Sequence, residues 1–347
     1  MAASPFEFTT IKRVTEEKMR RLVTSDWQLS HLARDRYRTD FVVKTLPDLI
    51  DKYNVDQLLV LGDITEQKDN HPAPLVNEIV RTFEAISKKC EIIILEGNHD
   101  YLHEGFPFFE FLKYTKNISW ISKPTERDNC LYLPHTRDYK KEWKGLKFDG
   151  CDFVFAHNIF TGVNTQTGHA LSGISPSVFP DDALIISGDV HDPQTIADGK
   201  IIYAGSPCLC DFGDDYQPRV LLLDDLKVKS IKVYGQQKRL IQLYWPNDIE
   251  LPYEKVNEND IVKIQVHISM ENVSQWIDIR SKVEDWAAKR KWIVNTIQPI
   301  VSYVQGERKK IVKSQKKSDG QYLQSFVQRT GTDERTAQIG KEIVELL

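Results

Sequence analysis

Five short polar motifs follow apolar, strand-like runs of this sequence, and their placement constrains the fold more than any other feature. They are DWQ at 26–28, GD at 62–63, GNHD at 97–100, AHN at 156–158 and GDVH at 188–191. In α/β sheets the carboxyl ends of the strands converge on one crevice. Residues as distant in sequence as Asp26 and Asp189 are therefore expected to meet at one site.

The first half of the chain alternates short apolar runs with helix-period segments, a pattern that favours a layered α/β sheet over a sandwich. Helices are predicted over 37–53, with apolar residues at intervals of three and four, and from Pro74 to Ile86. Strands are predicted at 21–25, 57–61, 91–95, 153–156, 184–187, 201–204 and 220–223.

The pattern changes from about residue 236. Residues 261–269 alternate strictly between apolar and polar, which predicts a half-buried strand. A helical stripe over 273–286 and a second strand near 292–297 complete a small second domain. The predicted division is a core over 1–235, a second domain over 236–302, and a tail over 303–347 that contains a basic linker and two short amphipathic helices. We expect these helices to dock in a partner's groove, and packing on the second domain is the alternative.

Composition excludes several classes of protein. The 347 residues are 41% hydrophobic and carry a net charge of −4, so wholesale disorder and a histone-like basic DNA binder are both excluded. The sequence contains neither the apolar core of a signal peptide nor an apolar run long enough to span a membrane. Its five cysteines, an odd number without a CxxC pair, indicate a reducing cytoplasm. For Cys208 and Cys210 we favour buried packing over redox or metal chemistry.

The motif residues have the chemistry of metal ligands. Carboxylate, amide and imidazole groups are the donors that hold divalent manganese, iron, magnesium or zinc. In a two-metal site a carboxylate bridges ions that clamp a phosphoryl centre. Asp63, the first polar residue after its strand, is the predicted bridge. Each motif alone is weak, since GD after a strand is most often a turn.

Together, the ordered motifs resemble the calcineurin-like metallophosphoesterase superfamily over about residues 20–235. The stretch YAGSPCLCDFGDDYQPRVLLLDD at 203–225 resembles the SbcD-type nuclease subunit in particular, including phage-encoded relatives. The resemblance implies a layered β-sandwich flanked by helices, a small α+β capping domain and a C-terminal helical tail. It also implies a homodimer, and docking of the tail on the coiled coil of an SbcC-like ABC-type ATPase.

The resemblance further implies the roles of individual residues. One metal ion would be held by Asp26, Gln28, Asp63 and His191, and the second by Asp63, Asn98, His157 and Asp189. His99 would protonate the leaving oxygen or stabilise phosphoryl charge, and Asp100 would either orient His99 or cap the next segment.

Two residues depart from the superfamily pattern, which has DxH and GHxH where this chain has DWQ and GDVH. Gln28 and Asp189 both replace nitrogen donors by oxygen. The exchange favours harder metals over zinc. We expect two divalent ions, with manganese as the first choice and magnesium as the alternative.

The predicted function is metal-dependent DNA hydrolysis by the nuclease subunit of an SbcCD-like complex, in the cytoplasm of a bacterial or phage-infected cell. Two alternatives remain open: a small-molecule phosphodiesterase or phosphatase, and a catalytically impaired scaffold. Candidate phosphate contacts are the basic residues Arg34, Arg36, Arg38, Lys140, Lys141, Lys144 and Lys147. The candidate histidines for substrate contact are His31, His71, His103, His135 and His169.

Overall fold

The computed structural model describes residues 19–103, 105–148, 150–166, 168–249 and 256–302. The predicted tail over 303–347, with its basic linker and two helices, lies outside the described residues. The described residues up to Ile268, together with Ser274–Ile300, belong to one compact unit. Ser269–Val273, Val301 and Ser302 belong to a second.

The first sheet has six strands in the order β12-β11-β1-β2-β3-β4. Strands β1 to β4 are parallel neighbours, and β11 pairs antiparallel with both β1 and β12. Their bounds are β1 Arg20–Thr24, β2 Gln57–Val60, β3 Glu91–Leu95, β4 Ile118–Ile121, β11 Arg219–Asp224 and β12 Lys227–Lys232.

The second sheet also has six strands, in the order β5-β6-β7-β8-β10-β9. Its four inner strands are parallel, and the two edge strands pair antiparallel with them. Their bounds are β5 Thr125–Arg127, β6 Cys130–Leu133, β7 Phe153–His157, β8 Ile185–Gly188, β9 Thr195–Ile196 and β10 Ile201–Tyr203.

Helices cover the outer face of the first sheet. A helical run consists of α1 (Arg36–Asp40), a π-helical turn (Phe41–Thr45) and α2 (Leu46–Tyr53), and α3 spans Ala73–Ser87. Both predicted helices are thus confirmed. Their apolar stripes pack on alternate strand residues such as Leu22, Leu58 and Ile92. The helix α4 (Tyr139–Glu142) precedes β7.

The two sheets face each other across a second apolar layer. The strand residues of opposite parity, such as Val23, Leu59 and Ile93, turn inward and meet Tyr132 and Phe155 of the second sheet. This alternation explains why the central strands read as continuous apolar runs, since both of their faces are buried. The core is therefore a layered β-sandwich flanked by helices, as the resemblance implied, and the preference for an open sheet over a sandwich is wrong.

Residues 236–302 contain a three-stranded sheet and one helix. Strands β13 (Lys238–Tyr244) and β14 (Ile261–Ser269) are parallel, and β15 (Ile293–Ser302) neighbours β14. Helix α5 (Trp276–Lys289) buries Ile279, Val283 and Trp286. These elements confirm the predicted strands and helix and add β13. None of the described helices is long and apolar enough to cross a membrane.

Candidate metal centre and active site

The predicted donors come from both sheets. Asp26 and Gln28 follow β1, Asp63 follows β2, and Asn98 follows β3 of the first sheet. His157 ends β7 in the second sheet, where Asp189 and His191 follow β8. Parallel strands of the two facing sheets end at the same rim, so all seven donors meet although they span residues 26 to 191.

The turns that carry the donors are strained. Asp26, Gln28, Asp63 and Asp189 have φ values of 52°, 47°, 57° and 75°, in the left-handed region that residues with a Cβ rarely adopt. Such backbone costs about 1–3 kcal/mol per residue and clusters at functional sites. The first two turns also pair with each other, since the backbone N–H of Gln28 donates to the carbonyl of Asp63 at 3.1 Å.

The Asp100 side chain holds these turns in place and does not hydrogen-bond the His99 ring. Its buried carboxylate accepts hydrogen bonds from the backbone N–H groups of Asp63 at 2.9 Å, Ile64 at 3.1 Å and Gly97 at 2.7 Å. Burial raises the pKa of Asp100 to about 6, against the opposing effect of these donors. These bonds match neither role considered for Asp100, because they hold turns that precede it and join neither His99 nor the segment that follows.

Asn98, His157 and Asp63 form one pole of the site. Nε2 of His157 lies 3.0 Å from Oδ1 of Asn98, 3.4 Å from Oδ1 of Asp63 and 3.9 Å from Oδ1 of Asp189. Nδ1 of His157 faces the backbone carbonyl of Leu61, which can only accept a hydrogen bond. Nδ1 therefore carries a proton, and Nε2 is directed at the carboxylates, the arrangement typical of a histidine ligand.

Asp26 and His191 form the opposite pole. Asp26 is fully buried, and neither of its carboxylate oxygens has a hydrogen-bond partner among the described residues. Nε2 of His191 lies 4.0 Å from Oδ1 of Asp26. Gln28 directs its side-chain amide N–H toward Oδ2 of Asp63 at 2.9 Å. A buried, unpaired carboxylate is costly unless a cation neutralises it.

The electrostatics of the site favour cations. Burial raises the pKa of Asp26 to about 6, although His157 and His191 oppose the shift. Burial alone would lower the pKa of His157, but the carboxylates of Asp63, Asp189 and Asp26 outweigh it and raise the pKa to about 9. Asp26, Asp63 and His157 offer ligand atoms within 4.8 Å of one another. The residues present therefore fit a divalent metal centre, with Asp63 between the two poles.

His99 lies at the mouth of this centre. Its backbone N–H donates to Oδ1 of Asp63 at 2.8 Å, and its Nδ1 lies 2.7 Å from the carbonyl of Glu66. The ring is thus oriented by a backbone carbonyl. A cleft of about 270 Å³ opens here, lined by Gln28, Arg38, Asp63, Glu66, Asn98, His99, Asp189, His191, Cys210 and Asp211.

Two of the candidate phosphate contacts are engaged within the fold. Arg38 is 3% exposed and donates to the carbonyls of Gln28 and Cys210, both at 2.6 Å. Arg36 forms a bidentate pair with Glu78 at 2.7 and 2.6 Å. Contact with DNA through Arg38 is therefore wrong, because its guanidinium is buried and satisfied.

The other candidate contacts differ in exposure. Arg34 and the four lysines Lys140, Lys141, Lys144 and Lys147 are exposed, as are His31, His103 and His169. His71 and His135 are half-buried. Nδ1 of His135 lies 2.9 Å from the Tyr101 hydroxyl. Sequence reasoning missed Glu66, Cys210 and Asp211 as cleft residues, because no local pattern marks them.

The family model for calcineurin-like phosphoesterases matches residues 19–223, more than half of the chain. The chain belongs to the calcineurin-like phosphoesterase family. The match covers both six-stranded sheets almost completely and includes every predicted metal donor. Membership of the calcineurin-like phosphoesterases supports hydrolysis of a phosphoester with divalent metals.

Individual relatives of this calcineurin-like phosphoesterase are distant. "Putative phosphoesterase 244L" of Invertebrate iridescent virus 6 is 22% identical over 196 residues, which are 49% of this chain and 64% of the viral protein. The chain thus spans less than two thirds of that relative's length.

Two solved structures share only a coarse likeness with the chain. The Pseudomonas putida nuclease MPE is 14% identical, with a TM-score of 0.31 over 61% of this chain and 73% of that one. GAP50, the anchor in the inner membrane complex of Plasmodium, is 12% identical, with a TM-score of 0.39 over 64% and 91%. At such TM-scores neither structure indicates a substrate.

Proposed function

We propose that the chain is a metal-dependent hydrolase of phosphodiester bonds in DNA. The observation that carries the hydrolytic part is the buried carboxylate of Asp26, which has no hydrogen-bond partner among the described residues and lies 4.0 Å from Nε2 of His191. Two divalent cations, when bound, would activate water and neutralise phosphoryl charge. We propose manganese as the native metal, because Gln28 and Asp189 supply oxygen where the superfamily pattern has nitrogen.

The chain's own residues would position the substrate and move a proton. Because Nδ1 of His99 faces a carbonyl that only accepts, this nitrogen keeps its proton. In the imidazolium form Nε2 carries a second proton, which it would donate to the leaving oxygen of the phosphodiester, leaving the neutral ring protonated on Nδ1. Asp100 would act indirectly, by holding the turns on which Asp63 and Gly97 lie.

The stretch that carries the SbcD-type resemblance supports the choice of DNA. It is part of the site rather than remote from it: the Ser206 hydroxyl donates to the Asp26 carbonyl at 2.8 Å, and Cys210 and Asp211 line the cleft. Exposed lysines of α4 and the loop after it offer phosphate contacts outside the cleft.

A neighbouring cleft favours a second candidate, a small phosphodiester. This cleft, of about 410 Å³, shares Asp189 and His191 with the site and adds Asp192 and Asp214. Burial raises the pKa of both added carboxyls, and the nearby Asp214 raises that of Asp192 further. Ionised carboxylates here would repel the continuing backbone of a polyanion.

One experiment separates these functions. The purified chain is incubated in manganese with linear duplex DNA or with bis(p-nitrophenyl) phosphate, and Asp63→Asn serves as the inactive control. We expect DNA cleavage that the control lacks. If bis(p-nitrophenyl) phosphate is hydrolysed while the DNA stays intact, the substrate is a small phosphodiester. The absence of bound metal, together with no turnover of either substrate, would establish the scaffold, and two bound ions per chain would count against it.

We also propose, on the resemblance alone, a homodimer and an SbcC-like ABC-type ATPase as partner. The proposed docking segment, 303–347, lies outside the described residues. Deleting residues 318–347 should abolish co-purification with the co-expressed ATPase and leave hydrolysis by the isolated chain intact. Light scattering after size exclusion tests the dimer. Co-purification of the truncated chain, or a monomeric mass, would contradict the respective proposal.

A further inference from the structure

A cavity of about 660 Å³ lies against the first sheet, between the end of α2 and strands β1, β11 and β12. Arg20, the first residue of β1, lines it, whereas Asp26 follows the other end of that strand. At about 3.3 Å per residue, the strand alone places about 13 Å between Arg20 and the end that precedes the metal donors. None of the described residues that line this cavity lines the metal-site cleft. The cavity is therefore a feature separate from the candidate active site.

Positive charge dominates this cavity. Its cationic side chains among the described residues are Arg20, Lys52, Lys227 and Lys229, and its single carboxylate among them is Asp224. Arg20 is engaged within the fold, since its Nε lies 3.6 Å from Oδ1 of Asp224 and its Nη1 donates to the last backbone carbonyl of α2 at 3.3 Å. The three lysines are exposed, and none of them forms an ion pair with another described residue. Three ammonium groups are thus available to an anion.

Other lysines on the helices of this face are paired. Lys44 pairs with Asp40 on the helical run that ends in α2, and Lys88 pairs with Glu84 at the end of α3. The lysines of the cavity have no such partner among the described residues, and their like charges repel one another across the shared space. A bound phosphate group would neutralise them and accept their hydrogen bonds.

The floor of the cavity is apolar. Leu222 is 8% exposed and belongs to the core between the first sheet and its helices, and Tyr53 packs against the same core. The Lys52 ammonium lies 5.3 Å from the centre of the Tyr53 ring, so charge and aromatic surface adjoin. The volume is of the order typical of small-ligand sites. Aromatic surface beside cations suits the bases and phosphates of nucleotides.

We propose that this cavity is a second binding site of the chain, which takes a nucleotide through its phosphate group. The ammonium groups of Lys52, Lys227 and Lys229 would donate to the phosphate oxygens, and the base would cover Tyr53 and Leu222. A free nucleotide and the phosphorylated end of a DNA strand offer the same chemistry, so either can be the source. The site does not depend on hydrolysis at the metal centre, because the cavity and the metal-site cleft share no described residue.

Calorimetry on the full chain tests the site without reference to hydrolysis. The protein is stripped of metal and kept in chelator, so that the carboxylates of the metal centre repel anions there. We expect ADP to bind in a one-to-one ratio. Adenosine, which lacks the charged hydrogen bonds, should bind about tenfold more weakly or worse, and inorganic phosphate, which lacks the base, should also bind more weakly than ADP. Failure of the wild-type protein to bind ADP would overturn the proposal.

Lysine variants locate the binding site. Lys227→Ala combined with Lys229→Ala should weaken ADP binding by about tenfold or more, because charged hydrogen bonds contribute strongly to affinity. Both lysines are exposed on an edge strand, so the double variant should keep the fold, which circular dichroism checks. Lys232→Ala is the matched control, because this lysine is exposed on the same strand but does not line the cavity. Unchanged ADP affinity in the double variant would refute the assignment.

A labelled oligonucleotide identifies the source of the phosphate. Fluorescence anisotropy in chelator compares strands that end in a 5′-phosphate or a 5′-hydroxyl. A preference for the phosphorylated end that the double variant lacks assigns the site to DNA ends, whereas ADP binding without that preference assigns it to a free nucleotide. Binding of polyglutamate by a protein that does not bind ADP would mean a site for acidic protein segments and would reject the nucleotide.

The outcomes also separate this inference from the proposed function. ADP binding by a chain that cleaves neither DNA nor bis(p-nitrophenyl) phosphate would uphold the nucleotide site and reject the hydrolase. Metal-dependent DNA cleavage by a chain that does not bind ADP would do the reverse.

Discussion

Gly97 approaches Asp63 so closely that a Cβ atom on Gly97 would lie 2.3 Å from Oδ1 of Asp63. The same Cβ would lie 2.6 Å from the Asp63 backbone nitrogen. The turns at Asp63 and Gly97 cannot move apart to relieve these contacts, because the Asp100 carboxylate holds the backbone N–H groups of both. The position of the Asp63 carboxylate therefore depends on the absence of a side chain at Gly97.

Gly97→Ala should consequently displace Asp63 and weaken both poles of the metal centre. We expect phosphodiesterase activity to fall by about 100-fold or more, the effect of a misplacement of about 1 Å in an active site. Gly213→Ala is the matched control, because its added Cβ would have no atom within 4 Å. Steady-state kinetics and manganese titration of both variants provide the measurement. Wild-type activity of Gly97→Ala would contradict the assigned position of Asp63.

Asp26→Asn should stabilise the metal-free protein while abolishing activity. Burial raises the pKa of Asp26 to about 6 from 3.8, so the ionised carboxylate opposes folding as the pH rises from about 4 through 6. At about 1.4 kcal/mol per pKa unit, removing this charge is worth about 3 kcal/mol at pH 8 and little at pH 4. Urea unfolding in chelator at both pH values measures the difference. A destabilised variant at pH 8 would contradict it.

Arg38→Met should destabilise the fold more than Arg36→Met. Arg38 is buried between the carbonyls of Gln28 and Cys210 and lies 3.7 Å from the buried Asp35. Removing one partner of a buried ion pair costs about 3–5 kcal/mol. Arg36 is half-exposed, and its surface pairs are worth about 1 kcal/mol or less. Denaturant unfolding compares the two variants, and equal losses would refute the buried role of Arg38.

His99→Ala should lower kcat and leave metal binding intact. A positioned general acid contributes about 10²–10⁴-fold to rate. The hydrogen bond from His99 to Asp63 comes from the backbone N–H, which His99→Ala retains. His267→Ala, a change on β14 outside the residues that line the cleft, should retain full activity. Kinetics with an activated leaving group, which needs no protonation, should restore most of the rate of His99→Ala. Failure of this rescue would point to a structural role.

The sequence predicts the inner strands and the donors well because both depend on local patterns. Strands β1, β2 and β3 each contain a short apolar run, and the polar motif begins two residues after each strand ends. Strand β12, with the sequence KVKSIK, is missed because an edge strand facing solvent needs only a few apolar residues.

Non-local contacts account for the remaining errors. Arg38 belongs to a run of arginines typical of a solvated face, yet its acceptors are carbonyls 10 and 172 positions away. The expectation that Cys208 and Cys210 are buried is confirmed, since they are 2% and 5% exposed. The role of Asp100 also required the fold, because the N–H groups of Asp63 and Ile64 that it accepts from are 37 and 36 positions away and neither orient His99 nor belong to the next segment.

The origin of the donors in two sheets has a consequence for synthesis of the protein. Asp189 and His191 follow β8, so the chain must be synthesised to residue 191 before all seven candidate metal donors are present. Fragments released earlier carry at most the first-sheet donors and His157. The nascent chain therefore acquires the full set of candidate metal ligands only when the turn after β8 has been synthesised.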